Sequence, residues 1–165
     1  MGMKVGKIAA AVIAAGALAV PASASAASAI YAGTTDGDGQ IAMTVTIKQG
    51  IPKRITEIRG VSIPVNCEIS GPQRANTRIP TDIRVTRSRG AFAFSNEDSF
   101  GNESAILGKF RGRTRRNAAG SLVYANHFAA EGSLPEENCS TDVLSFQVRK
   151  GAPDVVFPTP LPRRG

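Results

Sequence analysis

Aromatic side chains are scarce: the chain has no tryptophan, two tyrosines and seven phenylalanines, 5% of its residues. That scarcity argues against a carbohydrate module that stacks sugar rings on exposed aromatics. It argues equally against a nucleic-acid module that interleaves such rings with basic residues, so nucleic acid is not an expected partner. Histidine is rarer still. His127 and the two cysteines cannot supply a zinc centre with its three or four ligands once the cysteines pair, and no metal or other cofactor is expected. The close Cys-x-x-Cys spacing of a redox pair is missing, as is the Gly-x-Ser-x-Gly elbow of a serine hydrolase. No catalytic residue is assigned. Beyond the first 29 residues no stretch repeats apolar positions at three and four, so no helix is predicted there. No internal repeat occurs.

The residues that are present begin with a leader. Lys4 and Lys7 precede an uncharged apolar run from Ile8 to Val20, and small residues surround Pro21 as far as Ala29. That order is the three-part layout of a secretory signal peptide, with Ala24-Ser25-Ala26 or Ala27-Ser28-Ala29 as the small-x-small cleavage site. A run of about 13 residues is too short for a hydrocarbon core that takes about 20. Residues 1–29 are therefore read as a cleaved signal, and the mature protein as secreted or held in the cell envelope with no stable membrane insertion.

Removal of the leader leaves about 136 residues, enough for one domain with its own core. Loss of Lys4 and Lys7 lowers the formal charge from +7 to about +5, because every acid lies further on. The basic residues run from Lys48 to Arg164, with the arginines that make up most of them starting at Arg54, and give a mild attraction to acidic surfaces such as wall polymers or phospholipid head groups. Cys67 and Cys139, alone in an exported chain, are expected to form a disulfide. Such a bridge closes a loop of roughly 70 residues, which the chain-entropy relation values at about 4 kcal/mol.

The mature pattern is that of strands. Ile41, Met43, Val45 and Ile47 alternate with small or polar residues, and Val61, Ile63, Val65 and Cys67 repeat the period of two. Ile83 and Val85 precede a turn-like Arg87–Gly90, and Phe92 and Phe94 follow it, so 82–95 reads as a hairpin. Ile106, Gly108 and Phe110 share a face; so do Leu122, Tyr124 and Phe128, with Arg113–Gly120 as the connecting turn. Leu144, Phe146 and Val148 complete the set. Seven or eight short strands separated by Gly, Asn, Asp and Pro predict an all-β domain over 30–150, an antiparallel β-sandwich or small barrel. Pro64 places its strand at an edge or at a bulge. The proline-rich segment 151–165 reads as an extended appendage, with Val155, Val156 and Phe157 as the residues that could dock it.

Several short features resemble a recurrent type of small secreted protein from actinobacterial-type genomes. They are Tyr31-Ala32-Gly33-Thr34-Thr35 before a glycine-containing turn, the strand Ile41–Ile47, and a cysteine after a long second strand. Ile106-Leu107-Gly108-Lys109-Phe110, Gly120-Ser121-Leu122 and a cysteine before the final strand complete them. The resemblance covers roughly residues 30–150 and implies a secreted β-sandwich of no established activity, with no catalytic residues to carry over. A longer 66–82 loop departs from that pattern.

Candidate sites are few. Asp36-Gly37-Asp38-Gly39 opens like a calcium loop, but the twelfth position counted from Asp36 is Ile47, where an EF-hand requires Glu. Two Asp-Gly pairs signal a hairpin turn instead. Arg111, Arg113, Arg115 and Arg116 crowd one predicted turn and are the candidate contacts for an anionic ligand, since guanidinium pairs well with phosphate and carboxylate. His127 is expected to face solvent or bond locally. Glu97, Asp98, Glu103, Glu131, Glu136 and Glu137 lie in expected loops, and a glycosidase pair could be drawn from them, though nothing in the sequence pairs them. These residues point to a secreted, non-enzymatic binding or structural module that contacts an anionic cell-wall polysaccharide. The alternatives are a small glycan-directed extracellular hydrolase, and an inhibitor or partner of another secreted protein acting through Glu131–Ser140.

Overall fold

Apolar and polar residues alternate through most of the chain, and the apolar set is rich in β-branched Ile and Val, so the backbone is committed to extended structure. The computed structural model describes residues 26–97, 101–128 and 136–157. Residues 1–25 of the expected signal, 1–29, and the end of the tail, 158–165, lie outside the described residues, whereas Ala27–Ala29 belong to the first strand. Among the described residues nine strands form: β1 (Ala27–Thr35), β2 (Gln40–Lys48), β3 (Ile51–Cys67), β4 (Gly71–Arg84), β5 (Ala91–Glu97), β6 (Glu103–Arg111), β7 (Asn117–Phe128), β8 (Glu137–Ser140) and β9 (Leu144–Lys150). The protein is all-β, and every strand pair is antiparallel.

The strand order is β4-β3-β2-β1-β9-β7-β6-β5, with β8 paired to both β3 and β7. Two half-sheets, β4-β3-β2-β1 and β9-β7-β6-β5, are therefore joined along one side by the β1–β9 ladder and along the other by β8. Their facing residues form one core. Ile41, Met43, Val45, Ile55, Ile58 and Ile83 come from the first half, and Phe92, Ile106, Phe110, Leu122 and Phe146 from the second. Tyr31 on β1 meets Phe110 on β6 edge-on, with ring centroids 5.1 Å apart, which fixes the depth of the sandwich at one end. Burying a side chain of this size contributes about 1.5–3 kcal/mol, so this interior supplies the main driving force for folding.

Cys67 and Cys139 are bonded, and they are direct partners in the β3–β8 ladder. Val65, Ala75 and Tyr124 pack around them. Pro64 sits between the last β2 pair, Gln40–Val61, and the first β8 pair, Asn66–Ser140. The ladder to β4 breaks register between Gly60 and Ile63, and Ser62 has φ of 53°. Pro64 itself pairs in register with Arg74 just past that bulge, and its other side faces the gap between β2 and β8, so it occupies a local edge of β3 next to a bulge.

Three sequence readings change. Residues 66–82 are no loop: Gly71–Arg84 is a strand that pairs with β3 from Cys67–Gly71 to Arg54–Arg84. Its polar residues and its Pro72 and Pro80 conceal it, because an edge strand tolerates both. Residues 82–95 are no hairpin, since β4 and β5 stand at opposite ends of the strand order. The turn closes through Gly90 N–H to Thr86 C=O (2.8 Å), but Val85 N–H bonds Lys53 on β3 and Phe110 N–H bonds Gly90 from β6. The chain thus crosses from one half-sheet to the other. Finally, β7 begins at Asn117, so the turn before it spans only residues 112–116.

Past Lys150 the chain stays on the domain as far as Phe157. Val155 is buried with Ala32, Ala42 and Val61, against which Ile30, Ala152 and Phe157 also pack. Asp154 accepts from Arg59 at 2.8 and 2.9 Å. No helix among the described residues is long and apolar enough to cross a membrane.

Candidate anionic-ligand interface

The β6–β7 turn is held from three directions. Arg115 N–H bonds Gly112 C=O at 3.2 Å within the turn, and Lys150 N–H reaches Arg116 C=O at 2.7 Å from β9. The buried Tyr31 hydroxyl donates to Arg115 C=O at 2.9 Å. Burial of the ring raises the proton affinity of this phenol above its ordinary value, partly opposed by the nearby Arg116 charge. Arg115 itself turns back to donate to the Arg87 carbonyl, and its Nη1 is buried with no acceptor among the described residues. Arg111, Arg113 and Arg116 are exposed. The four candidate arginines therefore separate into three that face solvent and one that ties the 112–116 turn to the 87–89 turn.

Strand register shows that these turns belong to a larger arrangement. Arg111 pairs with Asn117, which pairs with Arg149, and Lys150 pairs with Tyr31. Lys48 ends β2, and Arg54 pairs with Arg84. Arg87 and Arg89 occupy the turn that leads into β5. All lie at the same end of the sandwich. The carboxylates on that half, Glu57, Asp82 and Asp154, are each ion-paired to an arginine: Arg59 and Arg78, Arg54, and Arg59 again. The other arginines and lysines there have no carboxylate partner among the described residues.

The opposite end is acidic. Glu97 pairs with Glu103 across β5 and β6, and Asp36, Asp38, Glu68, Glu136, Glu137 and Asp142 surround the other strand ends. Arg74 is the one lysine or arginine on that half among the described residues, and it donates to the Ser62 carbonyl at 2.9 Å and to that of Gly37. From Glu103 to Arg111 the strand spans about 27 Å, well over the ~10 Å screening length at 0.1 M salt. Each end therefore presents its own field. The basic residues are scattered along the sequence, yet folding gathers them.

Between the ends, a groove of about 520 Å³ on the outer side of β1, β9 and β7 is lined by Thr34, Asp36, Arg111, Ser121, Ser145 and Gln147. Small hydroxyl and amide groups form its wall, and Arg111 stands at its basic end. No aromatic ring is exposed at the basic end among the described residues, because Tyr31, Phe92 and Phe110 are all inside.

The remaining sequence candidates have local roles. Asp36–Asp38 form the β1–β2 turn, closed by Thr35 N–H to Gly39 C=O at 2.8 Å, and Asp36 accepts from Ser145 N–H at 3.0 Å. His127 bonds Asn138 through Nδ1 (2.8 Å) and Glu136 through Nε2 (3.0 Å), while Asn138 donates to Glu68. Among the described residues Glu97 and Glu103 are the one candidate carboxylate pair brought together; both are exposed and line a pocket of about 240 Å³ with Ser95, Ser104, Ala105 and Val123. Asp98 and Glu131 lie outside the described residues. Sequence reasoning missed Arg87, Arg89, Arg149 and Lys150 as members of the basic end; pairing each turn with its strand register would have found them.

Glu137 accepts from the Ser70 hydroxyl (2.7 Å) and from the Ser70 and Ile69 N–H groups (3.0 and 3.3 Å). These bonds, the Ser70 hydroxyl first, hold its carboxyl below the ordinary value of 4.5. Because the folded value is the lower one, the clasp contributes above 4.5 and is lost as pH falls through that lower value. In a pH titration followed by NMR, the Ile69 and Ser70 amides should shift with a midpoint below 4.5, and should stay still in Glu137→Gln. A midpoint at or above 4.5 would mean that the clasp does not form in solution.

Comparison with protein-family models, with curated proteins and with solved structures finds no match to this chain, so its site is described by its own geometry alone.

Proposed function

We propose that the mature protein is a secreted, non-enzymatic binding module that attaches to anionic polysaccharide or another anionic wall polymer through its basic end. The segregation of charge carries this reading: among the described residues, Arg74 apart, the arginines and lysines without a carboxylate partner collect at one end, and the carboxylates without a basic partner collect at the other. A polymer carrying phosphate or carboxylate groups can bridge Arg111, Arg113 and Arg116, and its hydroxyls find partners along the groove of Thr34, Ser121, Ser145 and Gln147. The disulfide and the leader-like start both suit an oxidising location outside the cytoplasm. β1 begins at Ala27, so cleavage after Ala26 leaves it whole. Cleavage after Ala29 would remove residues that pair with Ile47, Thr46 and Val45.

The test is co-sedimentation of the purified protein with isolated bacterial cell walls at low salt and at about 0.5 M salt, where exposed charges are largely screened. Exposed ion pairs contribute about 0.2–1 kcal/mol each. The triple variant Arg111→Glu, Arg113→Glu, Arg116→Glu, which reverses three of them, should weaken binding roughly 30-fold or more. Arg115 is left in place because it supports the turn. Equal binding by the triple variant would remove the basic end from consideration. Sugar released from the walls would instead favour the hydrolase reading, with Glu97 and Glu103 as its first residues to mutate.

A further inference from the structure

We infer that two copies of this protein pair edge to edge through β5, antiparallel, across a two-fold axis. The sheet has two outer strands, β4 and β5. Exposed edges invite pairing with other chains, and proteins guard them with proline, charge or irregular register. β4 is guarded: it carries Pro72, Pro80, Arg74, Arg78 and Arg84, and its register to β3 shifts twice. β5 has neither proline nor a register shift, and its one charge, Glu97, is its last residue. Ala91-Phe92-Ala93-Phe94-Ser95-Asn96 is uncharged and proline-free, and its register with β6 is unbroken from Ala91–Lys109 to Glu97–Glu103.

The free backbone groups can be identified. Gly90 C=O faces β6, where it accepts from Phe110 N–H, whereas Ala91 is bonded on the other side to Thr86. Alternation along the strand then turns the N–H and C=O of Ala93, Ser95 and Glu97 outward, where they have no partner among the described residues. The antiparallel register that uses all three residues, and leaves Ala91 to its turn, places Ser95 opposite Ser95 and Ala93 opposite Glu97. Beside this edge the outer face is apolar: Ala93, Ala105, Leu107, Val123 and Val143 line a groove of about 500 Å³, with the rim of the half-buried Phe94 at its side. Leu107 is 61% and Val143 68% exposed.

Charge selects a second copy as the occupant, and selects the antiparallel direction. β5 runs from the basic turn of Arg87 and Arg89 to the Glu97–Glu103 pair. Antiparallel pairing sets the basic end of each copy beside the acidic end of the other, whereas parallel pairing would set like against like. An anionic polymer would meet Glu97 and Glu103 along this edge and be repelled. The proposal stands independently of the wall-binding reading.

Sedimentation velocity of the purified full-length mature protein over a concentration series should show a monomer–dimer equilibrium. Ser95→Pro removes an outward N–H at a position where an edge strand accepts proline, so it should weaken the dimer at least tenfold while circular dichroism and the melting temperature stay unchanged. Ser95→Cys, with a sulfur on the axis, should form a covalent dimer under mild oxidation, and Gly112→Cys, away from the edge, should not. A strictly monomeric wild-type protein overturns the proposal, as does a dimer that Ser95→Pro leaves intact. If Ser95→Pro instead lowers the melting temperature of a monomer, another segment of the same chain covers the edge, and the proposal fails.

Discussion

Removing the disulfide with the double variant Cys67→Ala, Cys139→Ala should lower stability by about 4 kcal/mol, the chain-entropy value for a loop of this length; the bridged residues are 72 apart in sequence. Domains of this size are stable by about 5–15 kcal/mol, so the loss is a large fraction of the whole and should lower the melting temperature by roughly 10–20 °C. The structure adds where the damage concentrates. β8 is four residues long, and only Asn66 and Cys67 of β3 pair with it. Without the bridge, β8 is tied to the end of β3 by hydrogen bonds alone: two ladder pairs, Glu68 N–H to Asn138 C=O, and the Glu137 clasp. In amide exchange, Asn66–Glu68 and Asn138–Ser140 should therefore lose protection well before the core residues of β2. A loss under 1 kcal/mol, or uniform loss of protection across the sheet, would refute this account.

Gly120→Ala and Gly33→Ala should each destabilise the protein by about 2 kcal/mol or more. A glycine inside a strand ordinarily costs about 0.5–1 kcal/mol relative to alanine, so the expected sign is the reverse of the generic one. The reason is backbone proximity. A Cβ on Gly120 would lie 2.0 Å from the Leu107 carbonyl oxygen, and one on Gly33 would lie 1.9 Å from that of Gln147. No rotamer change relieves a contact with backbone, so the strands must separate and the ladder must weaken. Gly108, opposite Gly120, is covered by the Phe92 ring, which a Cβ there would meet at 2.6 Å. Gly112→Ala is the control: it has φ of 75° in open space, and should cost about 1 kcal/mol through backbone strain alone. Urea unfolding of the three variants settles the order. Equal values for all three would mean that close approach is not what selects glycine at 33 and 120.

The fold class was legible because one physical signal dominates. Ile41-x-Met43-x-Val45-x-Ile47 has one burial solution, and the structure adopts it. The disulfide was legible because two cysteines allow one pairing. The strands that escaped notice had weaker signals. β4 shows mainly polar residues because an outer strand need not alternate strongly, and β8 is too short to alternate at all. The false hairpin at 82–95 has a different origin. Ile83, Val85, Phe92 and Phe94 all point toward the core, but period-two alternation does not record which half-sheet a residue belongs to. The candidate site was half legible. Arg111, Arg113, Arg115 and Arg116 stood out as a run, but the separation of Arg115 from the others depends on a carbonyl at Arg87, and no local pattern encodes that. The collection of Arg87, Arg89, Arg149 and Lys150 beside them is a property of strand direction, visible only once the register is known.

β1 pairs with β2 on one side and with β9 on the other, so Thr35 lies against Phe146. The first strand of the chain and the last are thus neighbours in the middle of the sheet. A polypeptide that emerges N-terminus first can assemble β1–β4 as one meander and β5–β7 as another. The two meanders lack a shared strand until Glu137–Ser140 and then Leu144–Lys150 appear. Completion therefore waits for the end of the chain, and contacts of such long sequence separation form slowly. Until then the molecule remains an unfinished strand array, its two halves not yet held to one another by the ladders that close the sandwich.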